Sequence, residues 1–156
     1  MTGQPRQGAE DKNVLSELHA QIGSTLAQQG HRYTSGRQEL VETLILTGQP
    51  MTLPDIVEAD PKLAQSSAYR NLDVLVRCGV IRRINVGGDH TYFELAEPLL
   101  GHHHHLICLI CGSIEDVQFD SEIERLVDKS LNEISVRTGF TPATHSLDLH
   151  GHCADC

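Results

Sequence analysis

Apolar residues recur at helical spacing between Asn13 and Gln28, at Leu15, Leu18, Ile22 and Leu26, and Gly30 closes the run. A second helix is expected after Thr34, with Leu40, Val41, Leu44 and Ile45 on one face and Gly48 at its end. Thr52-Leu53-Pro54-Asp55 has the form of a cap with an acidic residue three positions on, which opens a short third helix through Ile56 and Val57. A fourth follows Ala64-Gln65-Ser66. Its Leu72, Leu75 and Val76 share a face, which turns Arg70, Asp73 and Arg77 the other way, and Gly79 stops it. The period then changes from helical to alternating in Ile81–Val86 and His90–Leu95, joined by Gly87-Gly88-Asp89, a hairpin signal. Three helices, a fourth with a basic outer face and a hairpin describe a winged helix-turn-helix, a unit that lays its recognition helix in the DNA major groove.

The second half has a different pattern. His102-His103-His104-His105 runs into Leu106-Ile107-Cys108, an apolar stretch expected to be a strand. A helix follows, with Ile123, Leu126, Val127, Leu131 and Ile134 on its apolar face and Gly139 at its end. Thr144 to Leu149 alternates as a second strand. The halves meet near Ala96-Glu97-Pro98. The expected organisation is therefore a loose polar tail over 1–12, a DNA-binding domain over 13–95, a hinge over 96–101 and a second domain over 102–156.

Composition changes this picture at two points. The chain has 156 residues, 39% apolar and 21% charged, which excludes collagen-like, disordered and membrane classes. Its net charge of -9 argues against coating nucleic acid by bulk charge. The deficit is local, however: residues 1–95 are net -2 and residues 96–156 net -7, while Lys62, Arg70, Arg77, Arg82 and Arg83 face only Asp73 between positions 62 and 83. The other point is an excess of His and Cys. Seven of ten His and four of five Cys lie in residues 96–156. The start shows neither a charged n-region with an apolar core nor a membrane-length apolar run. A cytoplasmic protein is expected, in which paired Cys act as metal ligands more readily than as disulfides.

Cys108-Leu109-Ile110-Cys111 and Cys153-Ala154-Asp155-Cys156 are two C-x-x-C pairs that together supply four sulfurs, the complement of a closed tetrahedral zinc site. The 41 residues between Cys111 and Cys153 are too many for a local finger, so zinc there would tie the chain's last residues to the start of the second domain. Disulfides or a dithiol switch are the competing readings. On an extended chain His102 and His104 face one way and His103 and His105 the other. Each pair then needs further ligands, available from Glu94, Glu115, Asp116, Glu122, Glu124 and His145.

With both halves read, the chain resembles the ferric uptake regulator family of bacterial metal-responsive repressors. The resemblance runs from about Gly30 to Cys156. It is carried by Gly30-His31-Arg32-Tyr33-Thr34 with Arg37; Ser67-Ala68-Tyr69-Arg70-Asn71-Leu72 with Gly79; Tyr92-Phe93-Glu94-Leu95; His102 through Cys108; Cys111-Gly112; and Gly139-Phe140, His145, Gly151, Cys153 and Cys156. It implies an α+β chain, an N-terminal winged helix-turn-helix domain followed by a small α/β dimerisation domain, acting as a homodimer on a palindromic DNA operator. Tyr69, Arg70, Ser67 and Arg32 then contact DNA, with Arg77 on the same helix face. Cys108, Cys111, Cys153 and Cys156 match the family's structural zinc site. Glu94, His103, His105 and Asp116 match its sensing site, and His102, His104, Glu124 and His145 a second site. The function implied is metal-dependent repression of metal-uptake genes, without enzymatic activity.

The chain also departs from the family pattern. Pro50 stands where some relatives place a sensing His, and Arg82 and Glu94 or Leu95 stand where a zinc-sensing branch has Asp and Cys. The segment from Glu124 to Gly139 is a turn longer than in common members, so Glu122 or Asp128 competes with Glu124 as ligand. A sensing site of nitrogen and oxygen suits ferrous iron or manganese, while zinc binds such sites more tightly at equal availability. His104, where many iron sensors carry Asp, favours zinc. The competing functions are a peroxide sensor of the same family, a zinc metallohydrolase with an open coordination position, and a zinc-stabilised interaction module without DNA.

Overall fold

Helix α1 spans Gln7–Gln28 and so begins inside the stretch expected as a loose tail. Propagating an existing helix through Gln7-Gly8-Ala9-Glu10-Asp11-Lys12 adds one hydrogen bond per residue without a new nucleation cost, so the helix outruns its apolar periodicity. The computed structural model describes residues 7–86 and 91–156, in two units, Met1–Leu100 and Gly101–Cys156.

In the first unit α1 is followed by α2 (Ser35–Thr47), β1 (Met51–Thr52), α3 (Leu53–Ala59), α4 (Gln65–Arg77), β2 (Ile81–Asn85), β3 (Thr91–Leu95) and α5 (Glu97–Leu100). Thr52 and Asp55 form the reciprocal cap at α3: the Asp55 amide donates to Thr52 Oγ1 at 3.3 Å and the Thr52 amide to Asp55 Oδ2 at 3.0 Å. The predicted faces of α1, α2 and α4 converge, burying Ile22, Leu26, Leu40, Val41, Leu72 and Leu75 with Ile56 and Ile81 in one core. At Gly79 the chain turns out of α4 with φ +72°, a conformation that costs a residue with Cβ far more than glycine. Strands β2 and β3 pair antiparallel with Arg82 opposite Glu94. The expected turn, Gly87-Gly88-Asp89, lies outside the described residues, as does His90. Two-residue β1 adds to the other edge of β3, with Met51 opposite Phe93. Such a short strand has no period to read in sequence. Residues 97–100 of the expected hinge form α5.

The second unit contains β4 (His104–Cys108), β5 (Ile114–Val117), α6 (Ser121–Thr138) and β6 (Asp148–Gly151). The sheet order is β5-β4-β6, antiparallel between β4 and β5 and parallel between β4 and β6. Asp120 caps α6 by accepting from the Glu122 amide at 2.8 Å, and Gly139 ends it with φ +72°. The strand expected over Thr144–Leu149 instead occupies Asp148–Gly151. Alternation continues through both stretches, and only the pairing of Asp148 with His105 and Gly151 with Cys108 selects where the strand begins. On α6, Ile123, Leu126, Ile134 and Val136 are exposed.

Candidate nucleic-acid face and metal centres

Burying Ala68, Leu72 and Leu75 fixes the rotation of α4 and leaves Tyr69, Arg70 and Arg77 exposed on its outer side, with Ser67 half-buried. Arg70 Nε donates to the Ser66 carbonyl at 3.3 Å, which leaves the rest of its guanidinium fork outward. Asp73 tempers this face: it pairs with Arg77 one turn on and lies 3.7 Å from Arg83 on β2. Arg32 is exposed in the turn before α2, where its carbonyl accepts from Arg37. A cleft beside Tyr69 is bounded by Thr52, Leu53, Arg83 and Phe93. Glu94, on β3, is held by Arg82 across the β2–β3 register.

In the second unit, the turn after β4 and the segment after β6 bring four sulfurs within 4.8 Å of one another. Cys108 Sγ lies 3.8 Å from Cys156 Sγ, Cys111 Sγ 3.7 Å from Cys153 Sγ, and Cys153 Sγ 3.3 Å from Cys156 Sγ. Vertices of a tetrahedron with metal–sulfur bonds of about 2.3 Å are about 3.8 Å apart, so the set fits zinc. Amides of Cys111, Cys153 and Ile110 point at the Cys108 sulfur and draw its pKa down to about 5. The hydroxyl of Ser113 lowers that of Cys111, while the sulfur of Cys153 foremost pushes Cys156 up to about 12. A cation bound among the four sulfurs would displace the protons they share.

The four-His run divides as strand alternation requires. Around Glu124, His104 Nε2 lies 2.7 Å from Oε1, His102 Nε2 3.3 Å from Oε2 and His145 Nε2 4.0 Å from Oε2. The hydrogen bond from His104 lowers the Glu124 pKa. His145 Nε2 is buried without a hydrogen-bond partner, and a cation among these groups would give it one. Glu124 is therefore the helix carboxylate brought to the histidines. Glu122 is an exposed residue 3.8 Å from Arg125, and Asp128 lies farther along the exposed side of α6.

On the opposite side of β4, His103 and His105 pack edge to face with ring centroids 5.0 Å apart. His103 Nδ1 lies 2.9 Å from the Gly101 carbonyl, and His105 Nε2 lies 3.8 Å from Asp116 Oδ1 on β5. Two neighbours are absent from the sequence reading. Phe119 stacks on the buried His104 ring at 4.3 Å, and Asp148 Oδ1 lies 3.0 Å from His105 Nδ1. An acidic residue between Leu147 and Leu149 in an alternating strand was the available signal for Asp148. A further polar group lies in the first unit, where His19 Nδ1 is 2.7 Å from Tyr33 Oη and His19 Nε2 is 3.5 Å from Glu42. Burial first, then the charge of Glu42, raises the Tyr33 pKa above its ordinary value. Among the described residues no helix is long and apolar enough to cross a membrane.

Comparison with known proteins places this geometry among relatives. The ferric uptake regulator family model matches residues 28–150. The ferric uptake regulation protein of Synechococcus elongatus is 29% identical over 147 residues, covering 88% of this chain and 93% of the relative. The peroxide-responsive repressor PerR of Staphylococcus aureus is 29% identical over 153 residues, covering 94% and 96%. The solved structure of the Helicobacter pylori ferric uptake regulator, described as having three functional metal binding sites, matches with TM-score 0.70 and 25% identity over 91% of this chain and 93% of that one.

Proposed function

The chain belongs to the ferric uptake regulator family and is a metal-dependent transcriptional repressor, and from that premise we propose that it senses zinc or ferrous iron through His103, His105, Asp116 and Glu94. The observation that carries this reading is the division of the four-His run entering β4 into two ligand sets on opposite faces, each supplied with a carboxylate. Cys108, Cys111, Cys153 and Cys156 hold a structural zinc, and His102, His104, Glu124 and His145 form the second site. Manganese suits the sensing donors as well.

A bound divalent cation supplies charge that offsets the carboxylates of Asp116 and Glu94. The chain's own residues do the rest. Glu94 belongs to the DNA-binding unit and the other three sensing ligands to the second, so their shared occupancy couples metal to the placement of the recognition helices. The exposed Ile123, Leu126 and Ile134 on α6 support a homodimer closed through that helix. Two copies of α4 then meet a palindromic operator, with Arg70 and Tyr69 at the DNA, Ser67 on the backbone, and Arg32 reaching the adjacent minor groove.

The test is retention of the protein's own upstream DNA in a gel shift at buffered free zinc, ferrous iron and manganese. Retention with at least one metal and none with chelator is expected. Absence of retention under every metal would remove the proposal.

A further inference from the structure

We propose that Asp148 is a positioning residue that locks the tautomer of His105 and thereby sets the metal affinity of the sensing site. The inference rests on the reading of His103 and His105 as sensing ligands. His105 is 2% exposed, so a ring nitrogen without a partner would be costly. Its Nδ1 is 3.0 Å from Asp148 Oδ1, while Nε2, at the other end of the ring, is 3.8 Å from Asp116 Oδ1. A neutral imidazole carries one N–H and one lone pair, and a carboxylate can only accept. Asp148 therefore fixes the proton on Nδ1 and leaves the Nε2 lone pair aimed at the Asp116 side.

Because it meets the opposite nitrogen, Asp148 is not placed to share a cation held by Nε2. Its role is to orient the ring and raise the basicity of the ligating nitrogen, as carboxylates behind ligating histidines do. The backbone enforces the contact: β6 runs parallel to β4 with Asp148 registered directly opposite His105. The other face of β4 is built differently. There the carboxylate of Glu124 faces the Nε2 atoms of His102 and His104 and sits among the ligand candidates themselves.

The experiment uses the full-length protein with its four-sulfur site loaded with zinc. Long-range proton–nitrogen NMR reads the His105 tautomer, and zinc titration against a competing chelator reads affinity. Wild type is expected to show the Nδ1–H form. Asp148→Ala should lose it and bind zinc about 10- to 100-fold more weakly at the sensing site, the usual effect of removing such a partner. Asp148→Asn, whose amide oxygen still accepts the hydrogen bond, should keep the tautomer and recover part of the affinity. Retained zinc at the sulfurs and unchanged exchange protection in β4 and β6 would identify the effect as local. Wild-type tautomer and affinity in Asp148→Ala, beside a His103→Ala protein that has lost binding, would overturn this proposal alone. Undiminished binding in His103→Ala would overturn it together with the sensing-site reading.

Discussion

Substitution of Cys153 by Ser should unfold the second unit and leave the first intact. Between Gly101 and Cys156 the buried apolar side chains among the described residues are Ile107 and Cys108, and the other buried groups are His103, His104 and His105. Burying Ile107 contributes about 1.5–3 kcal/mol, far below the entropy of ordering a unit of this size at about 1–2 kcal/mol per residue. The apolar face of α6 does not make up the difference within one chain, since Ile123 is 47% and Leu126 55% exposed. A structural zinc site contributes about 10–16 kcal/mol in small domains, several times the Ile107 term, so zinc at the proposed four-sulfur site would outweigh the apolar core of this unit. The first unit has its own core around Leu26, Leu40, Leu72 and Leu75 and needs neither. Amide-resolved hydrogen exchange on Cys153→Ser, or on wild type stripped with a zinc chelator, should show β4 and β6 unprotected while α2 and α4 keep wild-type protection. Native protection of residues 104–108 in metal-free monomer would refute the reasoning.

Arg70→Ala should weaken operator binding by about 1–3 kcal/mol, roughly ten- to hundredfold, measured by fluorescence anisotropy at fixed salt and saturating metal. If Arg70 meets phosphate, the salt slope also falls by about 1. Leu72→Ala, at a position 1% exposed on the inner face of the recognition helix, should destabilise the first unit by about 2–5 kcal/mol in urea unfolding, with no loss of zinc from the sulfurs. Tyr33 sets an alkaline limit on the same unit. Its pKa is raised in the fold, so its contribution is complete below the unfolded value of about 10 and fades as pH rises toward the higher folded value. Urea midpoints at pH 9 and pH 11 should therefore diverge more for wild type than for Tyr33→Phe.

Legibility from sequence followed the range of the interaction that decides each feature. Helices α2, α3 and α4 were readable because period and punctuation agree at Gly48, Thr52 with Asp55, and Gly79. The start of α1 was not, because Gln7 to Lys12 carry no apolar periodicity and extend the helix by propagation alone. The same rule divides the metal groups. Alternation along an extended run separates His102 and His104 from His103 and His105 without any knowledge of the sheet. Choosing Glu124 over Glu122 or Asp128 requires the placement of α6, and finding Asp148 requires the register of two strands 43 residues apart in the chain. Phe119 packs on His104 for a similarly nonlocal reason. The outer face of α4 was legible in its residues but not in its charge balance, since the partner that brings Asp73 to Arg83 is the hairpin fold.

The three candidate centres share β4, and this makes them unequal. His105 and Cys108 are three residues apart on that strand, about 10 Å at the rise of an extended chain. The link that holds β6 against it continues directly into the sulfur cluster: the Leu109 amide donates to the Gly151 carbonyl at 2.8 Å, and the Cys153 amide reaches Cys108 Sγ at 3.4 Å. Asp148 is at the other end of the same four-residue strand. Zinc at the sulfurs would therefore fix the register that sets Asp148 behind His105, whereas a cation at His103 and His105 touches neither Cys153 nor Cys156. Thiolates also prefer zinc over harder cations, so a sensing site filled by ferrous iron or manganese would hold a different ion from the sulfurs. The proposed dependence between the sites then runs through β6: a chain that cannot fill the sulfur site would keep the histidines in its sequence but hold less firmly the strand that orients one of them.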